Sequence, residues 1–274
     1  MTQVEIEKLF YSSKNKSEKV EKYFSVYEEV FKKYKNEDIT IVEIGVRNGG
    51  SLDIWRNYFS KNSRIIGIDL NPECKKFERE GVEIFIGNQS DPSFWDTFFK
   101  KVGMVDIIVD DGGHTSMDQI VTLVSTVNKI KDGGILFVED THSSYNLKDF
   151  LIDNKSNKYS FIDFSKKIID DINTKFSKNF KKYKFSFSDC IYSMQIFESV
   201  VVFKIDRSKC FNSKVVTNKG KDYNIYDLTG IGNDHPVVRF EKFFSFFSPV
   251  IRLTKLKRKF RDIINKRMIR KFFK

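Results

Sequence analysis

The chain has 274 residues, with 48 Lys or Arg against 37 Asp or Glu, enough for one sizeable core or a core domain with an appendage. Its three cysteines, Cys74, Cys190 and Cys210, show no C-x-x-C spacing, which argues against a thiolate zinc site and a disulfide frame. No run approaches the ~18 apolar residues that cross a bilayer, MTQVEIEKLFYSSKNKSEKVEKYF has no apolar core of signal-peptide length, and a cytoplasmic protein is expected.

The net charge of +11 sits almost wholly in residues 251–274, where eleven Lys or Arg face one Asp. The remaining body is close to neutral and offers no basic patch for nucleic acid.

Residues 4–35 carry helical spacing. ITIVEIGV (39–46) is a continuous apolar run ending at glycine, as buried parallel strands do. GGSLDIWRNYF then opens a helix with Ser51 as a candidate N-cap. SRIIGIDL (63–70) predicts a second strand, PECKKFERE a short helix, and VEIFIGN (82–88) a third strand. DPSFWDTFFKKV fits a helix capped by Asp91 with Pro92 in its first turn. VDIIVDD, SMDQIVTLVSTVNKI and GGILFVED (133–140) predict strand, helix and strand. This β-α alternation specifies a parallel sheet covered on both faces. Beyond it, YSFIDFSKKIIDDINTKF reads as a helix, and KFSFSDCIYSMQIFESVVVFKID as two strands reversing near Phe197–Ser199.

Ligands of open α/β sheets bind at the carboxyl ends of the strands. The first strand ends in Glu43, Gly45, Gly49 and Gly50, the second in Asp69, the third in Asn88, Gln89 and Ser90. Glycines after strand one let a ligand approach the backbone, and an acid ending strand two can hold ribose hydroxyls. A dinucleotide motif would place glycine where Arg47 stands, and no P-loop is present. A glycine turn not shaped for pyrophosphate, preceded by Glu43 and joined to Asp69, suggests S-adenosylmethionine. Gly45, Ser51, Asn88, Gln89 and Asp110 complete the expected cofactor set.

Strands four and five end in Asp110, Asp111, Glu139 and Asp140. Were those strands adjacent, Asp111, Glu139 and Asp140 would repel unless a hard divalent cation, Mg²⁺, held them together. A single such acid would more often cap a loop. His114, three residues from Asp111, is the expected general base, since an unperturbed imidazole titrates near working pH. His142 competes for that role.

VEIGVRNGGSLDIW, GIDL, GNQSDPSFW, VDIIVDDGGH and GGILFVEDTHSSY, over roughly residues 10–205, resemble the metal-dependent class I S-adenosylmethionine O-methyltransferases that act on sugars, the macrocin and mycinamicin type. The resemblance implies a Rossmann-like, mostly parallel seven-stranded sheet with an antiparallel last strand and helices on both faces. It also implies Asp111, Glu139 and Asp140 as Mg²⁺ ligands, His114 as base, Glu43 and Asp69 on the cofactor, and a saccharide hydroxyl as acceptor. Asn88 stands where the family commonly has Asp, and residues after VEDTHSSY do not carry over an acceptor pocket.

The expected organisation is a helical cap over 1–36, the methyltransferase domain over 37–206, an irregular extension over 207–250 and a basic amphipathic helix over 251–274. Leu253, Leu256, Phe260, Ile264, Met268 and Phe272 recur at helical spacing among the basic residues, after Phe243, Phe244, Phe246 and Phe247. Such a helix suits the inner face of an anionic membrane, or packing on its own domain or a second subunit in a homo-oligomer. The favoured reading is a saccharide O-methyltransferase of surface-polysaccharide or glycoconjugate biosynthesis, its acceptor free, nucleotide-linked or lipid-linked. The alternatives are a methyltransferase of natural products or nucleic acid, and a non-catalytic membrane-associated binding protein.

Overall fold

The computed structural model describes residues 3–145, 158–176 and 186–221. The chain divides into two units, residues 1–214 and 215–274, and of the second only 215–221 are described, exposed and without helix or strand. The extension past residue 221, the Phe243–Phe247 cluster, His235 and the basic helix over 251–274 lie outside the described residues.

In chain order the elements are α1 (Glu5–Ser12), α2 (Tyr23–Phe31), β1 (Thr40–Ile44), α3 (Gly50–Tyr58), β2 (Arg64–Asp69), β3 (Val82–Ile86), α4 (Pro92–Val102), β4 (Val105–Asp110), α5 (Ser116–Thr126), β5 (Ile130–Val138), α6 (Phe161–Thr174), β6 (Ile191–Phe197) and β7 (Val200–Ile205). One seven-stranded sheet runs β3-β2-β1-β4-β5-β7-β6. The pairings from β3 to β5 are parallel, and β7 is antiparallel to both of its neighbours. Strand order therefore reverses between β1 and β4, where an open α/β sheet leaves its crevice.

Alternation along the strands builds a core on each face. Ile41, Ile65, Ile107, Val109, Ile135 and Phe137 pack with α1, α2 and α3 around Tyr27, Phe31 and Trp55. Val42, Ile44, Ile66, Ile108, Leu136 and Val138 pack with α4, α5 and α6 around Trp95 and Phe161. Both faces of the central strands are thus buried, which explains why their sequences read as unbroken apolar runs.

Three local expectations change. The helix expected over PECKKFERE is a 3-10 segment, Pro72–Phe77. Glu78 leaves helical geometry there and its carboxylate accepts the Ile84 N–H at 2.9 Å, turning the chain into β3. β5 starts at Ile130, ahead of Gly133. Ser51 does not cap α3: Gly49, at φ 74°, precedes the helix, while the buried Ser51 hydroxyl donates to Glu43 Oε2 at 2.7 Å. Asp91 does cap α4, accepting from Ser93 N–H, with Pro92 in the first turn.

Candidate active site

A cavity of about 1010 Å³ opens at the carboxyl ends of β1, β2, β3 and β4, over the reversal point. Its floor depends on glycine. Gly45 has φ 94°, and a Cβ there would stand 2.0 Å from the Asp111 carbonyl oxygen, so the turns after β1 and β4 can meet only without a side chain. The Asp111 N–H donates to Ile44 O at 3.1 Å and joins the two turns.

On the cofactor side, Gly45, Ser51, Asp69, Asn88 and Gln89 line the cavity. Asp69 Oδ2 accepts the Arg47 N–H at 2.9 Å and Oδ1 the Asn71 N–H at 2.8 Å, which holds the carboxylate at the strand end. Asn88 Oδ1 accepts the Ser90 N–H at 2.9 Å. Glu43 and Asp110 stand behind the wall and are not among its lining residues. Asp110 Oδ1 accepts from Gln89 Nε2 at 2.9 Å, and Gln89 Oε1 accepts the Gly113 N–H at 2.8 Å, so this pair sets the shape of the glycine turn. Burial pushes the Asp110 carboxyl up to about 6, against the Gln89 hydrogen bond.

Burial likewise pushes Glu43 up to about 7, with Lys19 and Ser51 opposing. An acid raised in the folded chain contributes stability that is complete below its unfolded value, 4.5, and is lost as pH rises through 7. The loss is about 3 kcal/mol at roughly 1.4 kcal/mol per tenfold change. Glu43→Gln should therefore flatten the pH dependence of stability between pH 5 and 8. Thermal melts of both proteins across that window check this, and parallel pH curves would refute it.

The second half of the site is acidic. Asp111, His114 and Asp140 each bring one ligand atom into a group whose members all lie within 4.8 Å of one another. His114 Nε2 is 3.4 Å from Asp140 Oδ2 and 3.9 Å from Asp111 Oδ1, while its Nδ1 is buried and unpartnered. Glu139 sits deeper, accepting from the Tyr27 hydroxyl at 2.5 Å and from Lys19. His142 is more exposed, outside the cavity lining, with Nδ1 2.5 Å from the Ser199 hydroxyl. Of the two histidines, only His114 faces the cavity.

Arg47, His114, Asp140 and Ser199 all have positive φ, at 49°, 57°, 52° and 64°. Non-glycine residues in that region cost energy and cluster at functional sites. Here Arg47, His114 and Asp140 line the cleft, and Ser199 contacts Tyr23 and His142 beside it.

Lys19, Tyr23 and Tyr27 come from the expected helical cap, the first from the segment before α2 and the tyrosines from α2 itself. The Lys19 ammonium is 2.5 Å from Asp111 Oδ2, 3.2 Å from Glu139 Oε2 and 3.8 Å from Glu43 Oε1, with its side chain 2% exposed. Burial alone would lower its pKa, yet the surrounding carboxylates hold it well above the ordinary lysine value. Tyr23 donates to Asp140 Oδ1 at 2.6 Å. Apolar-charged helical spacing in residues 4–35 carries no sign of these roles.

Within the described part the acids outnumber their counter-charges. Glu43, Asp111 and Glu139 share one lysine, Asp140 faces His114, His142 and the Tyr23 hydroxyl, and burial together with the Asp111 charge raises Glu139 well above the ordinary carboxylate value. An oxygen-rich, charge-deficient cluster of this kind fits a hard divalent cation.

The Rossmann-like sheet, its single reversed strand and the placement of the cleft define the class I methyltransferase fold. No family model matches the chain. Among curated proteins it is 31% identical over 130 residues to the 8-demethyl-8-alpha-L-rhamnosyl tetracenomycin-C 2'-O-methyltransferase of Streptomyces olivaceus, covering 45% of this chain and 34% of that protein. It is 27% identical over 126 residues to the demethylmacrocin O-methyltransferase of Streptomyces fradiae (43% and 31% covered). It is 28% identical over 126 residues to the mycinamicin VI 2''-O-methyltransferase of Micromonospora griseorubida (43% and 31% covered). The chain thus spans about a third of the length of the curated relatives it matches. Among solved structures it resembles the MycE methyltransferase of the mycinamycin pathway in complex with Mg and SAH, at TM-score 0.66 and 20% identity, covering 75% of this chain and 55% of that one. The MycE complex with Mg, SAH and mycinamycin VI gives TM-score 0.67 at 20% identity, with 81% and 58% covered. The curated relatives are named O-methyltransferases, and the structural likeness establishes the fold.

Proposed function

We propose that this protein is a metal-dependent O-methyltransferase that carries a methyl group from S-adenosylmethionine to a saccharide hydroxyl. The observation that supports it most is one cavity lined by Gly45, Ser51, Asp69, Asn88 and Gln89 and, on its acidic side, by Asp111, His114, Glu139 and Asp140. The named activities of the curated relatives agree with it.

Residues 37–206 supply the reaction, and residues 1–36 complete the cleft through Lys19 and Tyr23. Gly45, Ser51, Asp69, Asn88 and Gln89 bind the cofactor, with Glu43 and Asp110 supporting the wall behind them. Asp111, Glu139 and Asp140 are the residues that would hold a divalent cation. When bound, S-adenosylmethionine supplies the methyl group and Mg²⁺ supplies a Lewis acid that makes the acceptor hydroxyl more acidic. His114 takes that hydroxyl's proton at Nε2, and the Asp140 carboxylate, 3.4 Å from the same nitrogen, stabilises the imidazolium that results. The cavity walls hold acceptor and cofactor in line, which lowers the barrier by positioning.

The finer reading is an acceptor of surface-polysaccharide or glycoconjugate biosynthesis, free, nucleotide-linked or lipid-linked. Its support is the sequence of residues 251–274, whose eleven basic residues at amphipathic spacing suit an anionic membrane at the cytoplasmic face. Among the described residues no helix is long and apolar enough to cross a membrane.

The purified full chain, incubated with S-adenosylmethionine, Mg²⁺ and a panel of rhamnosides, sugar nucleotides and lipid-linked sugars, should release S-adenosylhomocysteine and yield a methylated saccharide by mass spectrometry. EDTA should stop the reaction. No acceptor-dependent product across the panel, or full activity in EDTA, would sink the proposal.

A further inference from the structure

Lys19 belongs to a segment that runs between α1 and α2 across the turn opening α3. Ser13 Oγ donates to Gly50 O and to Asp53 Oδ2, both at 3.2 Å, and Asn15 Nδ2 donates to Asp53 Oδ2 at 3.1 Å. A Cβ on Gly50 would lie 2.6 Å from Asn15 O and 2.7 Å from Lys16 O, so the segment rests directly on the helix start. Glu18 pairs with Arg47 of the glycine turn at 2.5 Å. From this strap the Lys19 side chain reaches inward to Asp111 Oδ2 and both Glu139 oxygens.

Those oxygens belong to two of the three residues assigned above to the cation, and the inference rests on that assignment. The ammonium 2.5 Å from Asp111 Oδ2 takes one lone-pair direction of that oxygen. A divalent ion needs oxygen contacts at roughly 2.0–2.6 Å, so an ammonium held against Asp111 and Glu139 sets a like charge beside any cation those acids bind. The Tyr27 hydroxyl already takes one Glu139 oxygen at 2.5 Å, which leaves Glu139 the least available of the three acids while Lys19 stays in place.

We infer that Lys19 is a positioning residue of the cation site, whose ammonium competes with the divalent ion for Asp111 and Glu139. Cation occupancy is thereby tied to the strap over the cofactor turn. With a cation held by Asp111 and Glu139, the Lys19 ammonium would be displaced from Asp111 Oδ2, while the strap that carries it stays held at Ser13, Asn15 and Glu18.

Two measurements test this, neither of which reads activity. Free-Mn²⁺ electron paramagnetic resonance titrations compare wild type with Lys19→Met. The variant should bind Mn²⁺ at least about tenfold more tightly, because a competing charge has gone. A purely structural lysine would leave affinity unchanged or weaker, and either result overturns the inference. The second measurement needs no variant: acetylation of Lys19 in wild type, followed by peptide mass spectrometry across a Mn²⁺ titration. Lys19 reactivity should rise with Mn²⁺ while the more exposed Lys75 stays constant, and flat Lys19 labelling at saturating Mn²⁺ overturns the inference. If wild type and variant both fail to bind Mn²⁺, the inference falls together with the metal-dependent reading. If wild type binds and Lys19→Met binds no tighter, the inference alone falls.

Discussion

His114→Asn lowers kcat by about 10²–10⁴-fold, the usual contribution of a general base, and leaves Mn²⁺ and S-adenosylhomocysteine affinity at their wild-type values. Asparagine suits the test because His114 sits at φ 57°, a region asparagine tolerates, so the turn keeps its course. His114 Nε2 lies 3.4 Å from Asp140 and 3.9 Å from Asp111, close enough for both carboxylates to stabilise the imidazolium. Stopped-time assays with isothermal titration of S-adenosylhomocysteine and Mn²⁺ separate the steps. A kcat within a factor of about ten of wild type would remove His114 from the base role. A parallel fall in Mn²⁺ affinity would make it a ligand.

Asp140→Asn abolishes divalent-cation binding and brings kcat/KM down to the level left in EDTA, at least about 10²–10³-fold below wild type, the rate equivalent of several kcal/mol of charge stabilisation. Asp140 adopts φ 52°, which asparagine accepts, and a side-chain oxygen remains for the Tyr23 hydroxyl now 2.6 Å from Oδ1. The fold should survive, with a melting temperature close to wild type. The protein should also stop responding to Mg²⁺ in thermal-shift assays. A variant that still binds Mn²⁺ with wild-type affinity would show that Asp140 serves the turn and Tyr23 instead of an ion.

Both substitutions fall in motifs visible without coordinates, and the reason is local. A strand buried on both faces must be mostly apolar, so residues 41–44, 65–68 and 107–109 announce themselves, with Glu43 the one buried acid among them. The first polar residues after each run must then lie at a strand end. That logic brings Asp69, Asn88, Gln89, Asp111, His114 and Asp140 to one cleft, where the structure places them. It does not specify depth. Asp110 terminates β4 as expected and Glu43 lies one residue inside the end of β1, and the structure sets both behind the wall, where Gln89 and Ser51 contact them.

Ser51 illustrates the opposite failure. A serine beside a helix start usually caps it, but the β1 turn needs Gly49 at φ 74°, and that geometry moves the helix start to Gly50. The serine is then two residues past the cap position and turns to a buried carboxylate instead.

The amino-acid sequence by itself determined the alternation of strands and helices, the cleft at the carboxyl ends and the acids that end the strands. These depend on periodicity and turn chemistry over a few residues. Only the tertiary structure decided that Lys19, Tyr23 and Tyr27 close the acidic half of the site. Lys19 lies 92 positions from Asp111 and 120 from Glu139. No short-range pattern links a helical-looking segment to carboxylates so distant in the chain. Their meeting follows from α2 packing on the face of the sheet that carries Phe137, which aims Tyr27 and the strap at the ends of β1, β4 and β5. Once buried there, the acids require a positive partner, and the fold supplies a lysine.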